Sequence, residues 1–311
     1  MSDKHDLNYY LKCVQGGALA CGLTHTAIVT LDLVKCKRQV DPNMYKSLGD
    51  GIKTLYSTKG VRGITTGWAP TLVGYSFQGM GKFGFYELFK DVYAKIAGEN
   101  VHKYKVLGFA TASASAEVLA DLLLCPWEAL KVRMQTAKPG TFPETFGAAF
   151  NKLKADEGMQ GFYKGIGPLW ARQIPYTIVK FVFFEKTVEW FYANILTAKP
   201  KNEYSKSTQL SITFASGYIA GVLCAIVSHP ADTMVSKLNN VKTEGSSGAA
   251  IKNIYKDIGF SGLWRGLSTR IIMIGTLTGL QWWIYDSFKT AVGLQTSGGF
   301  AKKEELTAGK K

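Results

Sequence analysis

The chain has 311 residues, with 37 lysines and arginines against 23 acids for a net charge of +14, and 46% of it is apolar. That length suits two ordinary globular domains or one membrane bundle. The basic residues form no single block but recur near the ends of apolar runs, as at Lys35, Lys37 and Arg38 and again at Lys131 and Arg133. This pattern argues against a nucleic-acid groove and for anionic lipid headgroups and an anionic solute.

The opening MSDKHDLNYY has neither the apolar core of a secretory signal nor the Arg-rich, acid-poor pattern of a transit peptide. No cleavable presequence is evident there, and an address to an organelle is expected inside the chain. Residues 13–31 carry no titratable group beyond cysteine except His25, residues 207–228 carry no charge, and residues 271–285 are uncharged between Arg270 and Asp286. Runs of this length cross a hydrocarbon core of about 30 Å, and polar groups within them are tolerated where they face a bundle interior. The five cysteines, at 13, 21, 36, 125 and 224, form no CxxC pair and read as reduced thiols in or beside apolar segments.

Three stretches align: TLDLVK from Thr30, PWEALK from Pro126 and PADTMV from Pro230, at spacings of 96 and 104 residues. Each places an acid two positions on, at Asp32, Glu128 and Asp232. A base follows at Lys35 and Lys131, with Val235 in the third place. A second anchor keeps the same register, with Gly60, Gly158 and Gly259 each seven residues before Gly67, Gly165 and Gly266. Twenty residues past each second glycine comes an acid behind an aromatic: Tyr86–Glu87, Phe184–Glu185 and Tyr285–Asp286. Three positions further stand Lys90, Val188 and Lys289.

The expected fold is an all-α membrane protein with six transmembrane helices in three pseudo-threefold repeats, with short amphipathic helices in the polar loops 41–62, 135–161 and 239–262. The units are 1–100 (helices 1 and 2), 101–200 (helices 3 and 4) and 201–295 (helices 5 and 6), followed by a polar tail, 296–311.

These motifs resemble the mitochondrial carrier family, whose repeat reads PxDxxK or PxExxK, then a glycine–aromatic–basic–glycine stretch, then an aromatic–acid pair. Within it, THTAIVTLDLVKC, GYSFQGMGKFGFYE, RQIPYTIVKF and SHPADTMVS are similar to phosphate carriers. The resemblance implies a threefold barrel in the mitochondrial inner membrane, with termini on the cytosolic side and loops in the matrix. It implies a transporter and not an enzyme, needing no cofactor and moving inorganic phosphate with a proton, or in exchange for hydroxide. Anionic lipid such as cardiolipin would surround it.

It further implies a matrix gate of Asp32, Lys35, Glu128, Lys131 and Asp232, pairing Asp32 with Lys131 and Asp232 with Lys35. A local i,i+3 pair within one helix is the competing arrangement. Thr30 replaces the first repeat proline, so the first helix bends less there or bends by another cause. Val235 leaves Glu128 without an evident partner. The cytosolic gate would comprise Glu87, Lys90, Glu185, Asp286 and Lys289, again two bases for three acids.

A small asymmetric solute should be held where the repeats differ. Seven positions past the repeat glycine stand Gly74, Arg172 and Met273; four past, Thr71, Leu169 and Arg270; fifteen past, Lys82, Lys180 and Gln281. Arg172, Tyr176 and Lys180 form one helical stripe, and Gly74, Gln78 and Lys82 another. The substrate candidates are therefore Gln78, Lys82, Arg172, Gln173, Tyr176, Lys180 and Arg270, with Arg172 snorkelling to headgroups as the alternative. Proton-coupling candidates are His25, Glu117 and Asp121, on the odd helices, with Glu117 simply balancing Lys82 or Arg172 as the alternative. Cys21 and His25, spaced i,i+4, are a weak copper candidate, which keeps a copper carrier open as a second transport reading. An enzyme or a non-transporting scaffold is the third; no nucleophile elbow, phosphate-binding glycine loop or zinc spacing supports it.

Overall fold

The computed structural model describes residues 6–41, 43–137, 140–240, 247–264 and 267–298. The side chains of residues 39, 40, 231, 232, 234–240, 247–251 and 269 lie outside the description. Ten α-helices are described: α1 Leu7–Ala27, α2 Val29–Val40, α3 Leu48–Ile64, α4 Trp68–Ala97, α5 Lys105–Thr136, α6 Phe146–Tyr163, α7 Ile166–Asn194, α8 Lys206–Asn240, α9 Ser247–Gly262 and α10 Leu267–Ala291. Taken with α2, α1 makes one of six long helices.

Those six close a ring, because α1 packs on α4, α4 on α5, α5 on α7, α7 on α8, α8 on α10, and α10 back on α1. The short helices α3, α6 and α9 pack on α2, α5 and α8 respectively, all at one end of the ring, the loop end. The chain enters α1 and leaves α10 at the other, the termini end. α5, α8 up to Pro230 and the bent α1–α2 pair are long and apolar enough to span a membrane on that criterion alone. In α4, α7 and α10 the apolar residues are diluted by glycines, polar groups and charges that turn inward.

Close approach of backbones explains the glycines of the apolar runs. A Cβ on Gly17 would lie 2.2 Å from the Gly79 carbonyl oxygen, and one on Gly221 would lie 2.8 Å from Gly275 Cα. The α1–α4 and α8–α10 crossings therefore admit no side chain at these points. The anchor glycines Gly60, Gly158 and Gly259 share a second role. Each breaks its short helix at φ near 60° (60°, 65° and 63°) with ψ between −148° and −176°, a conformation open only to glycine.

The first long helix bends where it lacks the repeat proline. Its axis turns by 59° between α1 and α2, at Ile28 (φ −101°, ψ 9°), so the bend has another cause. Three consecutive side chains take carbonyls of the preceding turn: Thr24 Oγ1 donates to Ala20 O (2.6 Å), His25 Nδ1 lies 2.9 Å from Cys21 O, and Thr26 Oγ1 donates to Gly22 O (2.7 Å). Side chains that occupy these carbonyls bend helices. Pro126 and Pro230, by contrast, lie within helices that continue through them.

Candidate functional site

At the level of the ring where the repeats differ most, the interior is a chain of buried polar groups. On α4, Gln78 Nε2 donates to Glu117 Oε1 (3.0 Å) and to Asp121 Oδ1 (3.3 Å) of α5. Lys82 Nζ, one turn on from Gln78, lies 2.9 Å from Glu117 Oε2 and donates to Thr177 Oγ1 of α7 (3.2 Å). Both members of the Lys82–Glu117 pair are buried, so its geometry answers the sequence alternative in which Glu117 balances Lys82. Asp121 is 0% exposed, and its Oδ2 is buried with no hydrogen-bond partner among the described residues.

Across the ring, Lys180 Nζ of α7 donates to Gln281 Oε1 of α10 (3.1 Å), and Gln281 Nε2 approaches His25 Nδ1 at 3.4 Å. The His25 ring stacks on Tyr75, with centroids 3.7 Å apart. Lys180 is buried, and among the described residues its contacts are the neutral Gln281 amide and the rings of Tyr176 and Phe181, with no carboxylate at ion-pairing distance. Of these two lysines of the polar chain, Lys82 is neutralised within the fold, and Lys180 meets no carboxylate among the described residues.

The other substrate candidates sit further out. Arg172 is exposed, eight residues before Lys180 on α7 and so about 12 Å nearer the loop end. Arg270 Nη2 donates to Ser228 Oγ of α8 (3.2 Å), a link within the third repeat. Gln173 is half-buried and makes no hydrogen bond to the polar chain among the described residues. Cys21 and His25 meet through the Cys21 carbonyl, not its sulfur, and the described residues contain no cluster of three or more groups able to hold a metal.

Toward the termini end, the polar chain is covered by aromatic side chains that sequence reading passed over. Phe83, Phe181 and Trp282 are almost fully buried and form a near-equilateral triangle, with centroids 5.6, 5.1 and 5.1 Å apart. They stand sixteen positions past the three repeat glycines, one beyond Lys82, Lys180 and Gln281, so the register already compared would have found them. Tyr75 has no such signal, because Gln173 and Ile274 stand at its place in the other repeats, whereas Thr177 is matched in the third repeat by Thr278.

Above the triangle lies a charged layer. Lys90 Nζ is 3.1 Å from Glu185 and 3.7 Å from Glu87, Lys289 Nζ is 3.8 Å from Glu87, Tyr86 donates to Glu185 (3.0 Å) and Tyr9 to Glu87 (3.2 Å). Each lysine thus reaches the acid of the neighbouring repeat. Asp286, whose turn would fall to residue 188, accepts instead from Thr213 Oγ1 (2.8 Å) and from Ser297.

At the loop end Lys131 Nζ makes a close ion pair with Asp32 and lies 3.5 Å from Glu128. The expected inter-repeat pair and the local i,i+3 pair therefore coexist on one lysine, and Glu128 is not left without a partner as the missing base at Val235 suggested. Lys35 is exposed; its expected partner, the Asp232 side chain, lies outside the described residues.

A closed ring of six helices in three repeats, with an acid–base layer at each end and a polar chain between, defines a membrane carrier. The family model for mitochondrial carrier protein matches residues 7–97, 102–194 and 206–295, and the chain belongs to that family. It is 56% identical to a probable mitochondrial phosphate carrier protein of Schizosaccharomyces pombe over 93% of each chain. It is 57% identical to the mitochondrial phosphate carrier protein of Caenorhabditis elegans over 92% of this chain and 82% of that one. Solute carrier family 25 member 3 of Homo sapiens is 53% identical over 90% of this chain and 76% of its own length.

Proposed function

We propose that the protein carries inorganic phosphate across the mitochondrial inner membrane together with a proton, by alternating access. The carrying observation is Lys180, a buried cation whose fixed partners are neutral. An uncompensated buried charge is costly, and an anion arriving beside it removes that cost. Lys82 cannot do the same, because Glu117 already occupies it. Relatives of this chain over most of its length are named phosphate carriers, and the geometry gives no support to a copper-ligating pair at Cys21 and His25.

The proton reading rests on charge balance. Glu117 and Asp121 share one amide donor and face one lysine, so two acids stand against one base in a buried pocket. One proton on this pair neutralises it, and its uptake or release can accompany the arrival of the anion. Arg172, exposed toward the loop end, meets the anion before Lys180 does. His25 approaches Gln281, which binds Lys180, and this contact supports a sensing or relaying role for the histidine.

The two end layers act as gates that are not both shut at once. In this conformation the termini end, assigned to the cytosol, is sealed by the aromatic triangle and the Lys90–Glu185 and Lys289–Glu87 pairs. The loop end, assigned to the matrix, carries the Lys131 cluster, and anionic lipid such as cardiolipin would meet its basic residues.

Purified protein in liposomes, offered labelled phosphate, copper and small organic anions in turn, tests the assignment. Phosphate uptake that rises when the receiving side is made alkaline is the expected result. Uptake of another solute in preference to phosphate refutes the substrate, and no uptake of any refutes transport.

A further inference from the structure

The charged layer at the termini end is threefold in design and twofold in lysines, because Val188 stands where the second repeat would supply a base. Asp286 is fully buried, and no lysine or arginine stands at ion-pairing distance from it among the described residues. Its corner is filled by the chain itself. After α10 a Schellman turn reverses the backbone at Gly293 (φ 82°), with Leu294 N donating to Lys289 O (2.8 Å) and Gly293 N to Thr290 O (3.2 Å). Residues 293–298 then fold back over the ring, and Leu294 packs on the central aromatic cluster.

Ser297 lands on Asp286. Its N–H lies 3.0 and 2.9 Å from the two carboxylate oxygens, and its hydroxyl donates to Oδ1 at 2.7 Å. Lys289 donates to the same hydroxyl oxygen (3.3 Å), joining the third corner to the other two. The segment is pinned from the α7–α8 connection by Lys201, whose Nζ donates to the carbonyls of Thr296 (2.9 Å), Ser297 (2.8 Å) and Gly298 (3.5 Å). Thr296 Oγ1 donates to Gln209 of α8 (2.9 Å). Gly298 rests on Val188, so closely that a Cβ there would lie 2.4 Å from Val188 Cγ1. A lysine at position 188 and the docked segment would compete for one space. Residues 296–298, placed by sequence in a polar tail, are thus built into the bundle.

We propose that residues 293–298 are a strap that supplies the third link of the cytosolic gate, with Ser297 as the residue that positions Asp286 in place of the missing base. The strap ties α10 to α7 and α8 at the end that must open, so it leaves its seat in every transport cycle. This rests on the gate reading above. It makes opening depend on the release of one peptide segment, a step that a fully charged three-lysine layer would lack.

The test pins the strap. Gln209→Cys and Thr296→Cys, in a Cys36→Ser background, place two thiols where a short reducible thiosulfonate bridge can join strap to α8. Bridging is expected to cut phosphate exchange in liposomes at least tenfold, with recovery after reduction. Equal exchange with the bridge closed and cut overturns the strap while leaving transport intact. Unbridged protein that exchanges no phosphate overturns the transport reading beneath it. Val188→Lys supplies a second readout that needs no cross-link. The lysine should take Asp286 and displace Gly298, speeding hydrogen exchange at residues 294–298 at least tenfold. Unchanged protection in that variant also overturns the strap.

Discussion

Replacing Lys180 with glutamine separates binding from folding. The substitution removes the buried cation but keeps a donor able to reach Gln281 Oε1, now 3.1 Å from Lys180 Nζ. A hydrogen bond to a charged group is worth about 1.5–3 kcal/mol. At about 1.4 kcal/mol per factor of ten, the apparent affinity for phosphate should fall about 10- to 150-fold. Stability should move the other way, since the empty carrier no longer buries a cation among neutral partners, and the melting temperature in detergent should hold or rise. Lys82→Gln provides the contrast. It strips the partner from a fully buried Glu117, and breaking such a pair costs about 3–5 kcal/mol, so that variant should melt markedly lower. The assay is homologous phosphate exchange in liposomes over a wide concentration range, paired with thermal unfolding with and without phosphate. An unchanged KM in Lys180→Gln, or a melting loss equal to that of Lys82→Gln, would refute the assignment of Lys180 to the anion.

Other outcomes follow from the same geometry. Glu117→Gln should depress uptake driven by a pH gradient more than phosphate–phosphate exchange, because exchange needs no net proton movement; equal loss of both would return Glu117 to a purely structural role. Trp282→Ala opens the aromatic triangle and should cost about 3–5 kcal/mol of stability while letting protons leak through the closed carrier, which a pH-sensitive dye inside liposomes reads; a tight, stable variant contradicts the seal. Thr30→Pro falls in the first turn of α2, just past the existing break, and should cost well under the ~3 kcal/mol of an interior proline in a thermal unfolding series. Lys201 is pushed down from 10.5 to about 8, chiefly by burial, with Asp286 opposing in part. The three carbonyl bonds of its ammonium offset that burial, so Lys201→Met, which cannot donate to Thr296, Ser297 or Gly298, should expose the strap to proteolysis; unchanged protection would contradict the pin.

The threefold plan was legible because two unrelated motifs kept one register, and each marks something the backbone must do. Gly60, Gly158 and Gly259 take a glycine-only conformation, and the acids two and twenty residues past their anchors, among those whose side chains are described, lie in the end layers. Pairing was less legible. Lys131 serves Asp32 and Glu128 together because side chains three apart on a helix and a neighbour's acid converge on one ammonium, which a one-to-one reading of the repeat does not anticipate. Within the proposed substrate stripe the charge balance was only partly legible: Lys82 and Lys180 occupy equivalent positions, yet among the described residues only α5 brings a carboxylate to meet one of them. The bend at Ile28 was hidden because its cause is a run of side-chain bonds to carbonyls from Thr24, His25 and Thr26, and a search for proline does not see it. Ser297 had no repeat counterpart at all; its only sequence trace was the gap it fills, Val188.

The central claim, that one phosphate crosses with one proton, is tested most directly by following both at once. Purified protein in liposomes with an internal pH dye and labelled external phosphate reports the two fluxes in the same vesicles. The account predicts that phosphate entry acidifies the lumen in proportion, that imposed internal alkalinity accelerates it, and that Glu117→Gln loses this net entry. Phosphate entry that leaves internal pH unchanged and ignores the gradient would contradict the account.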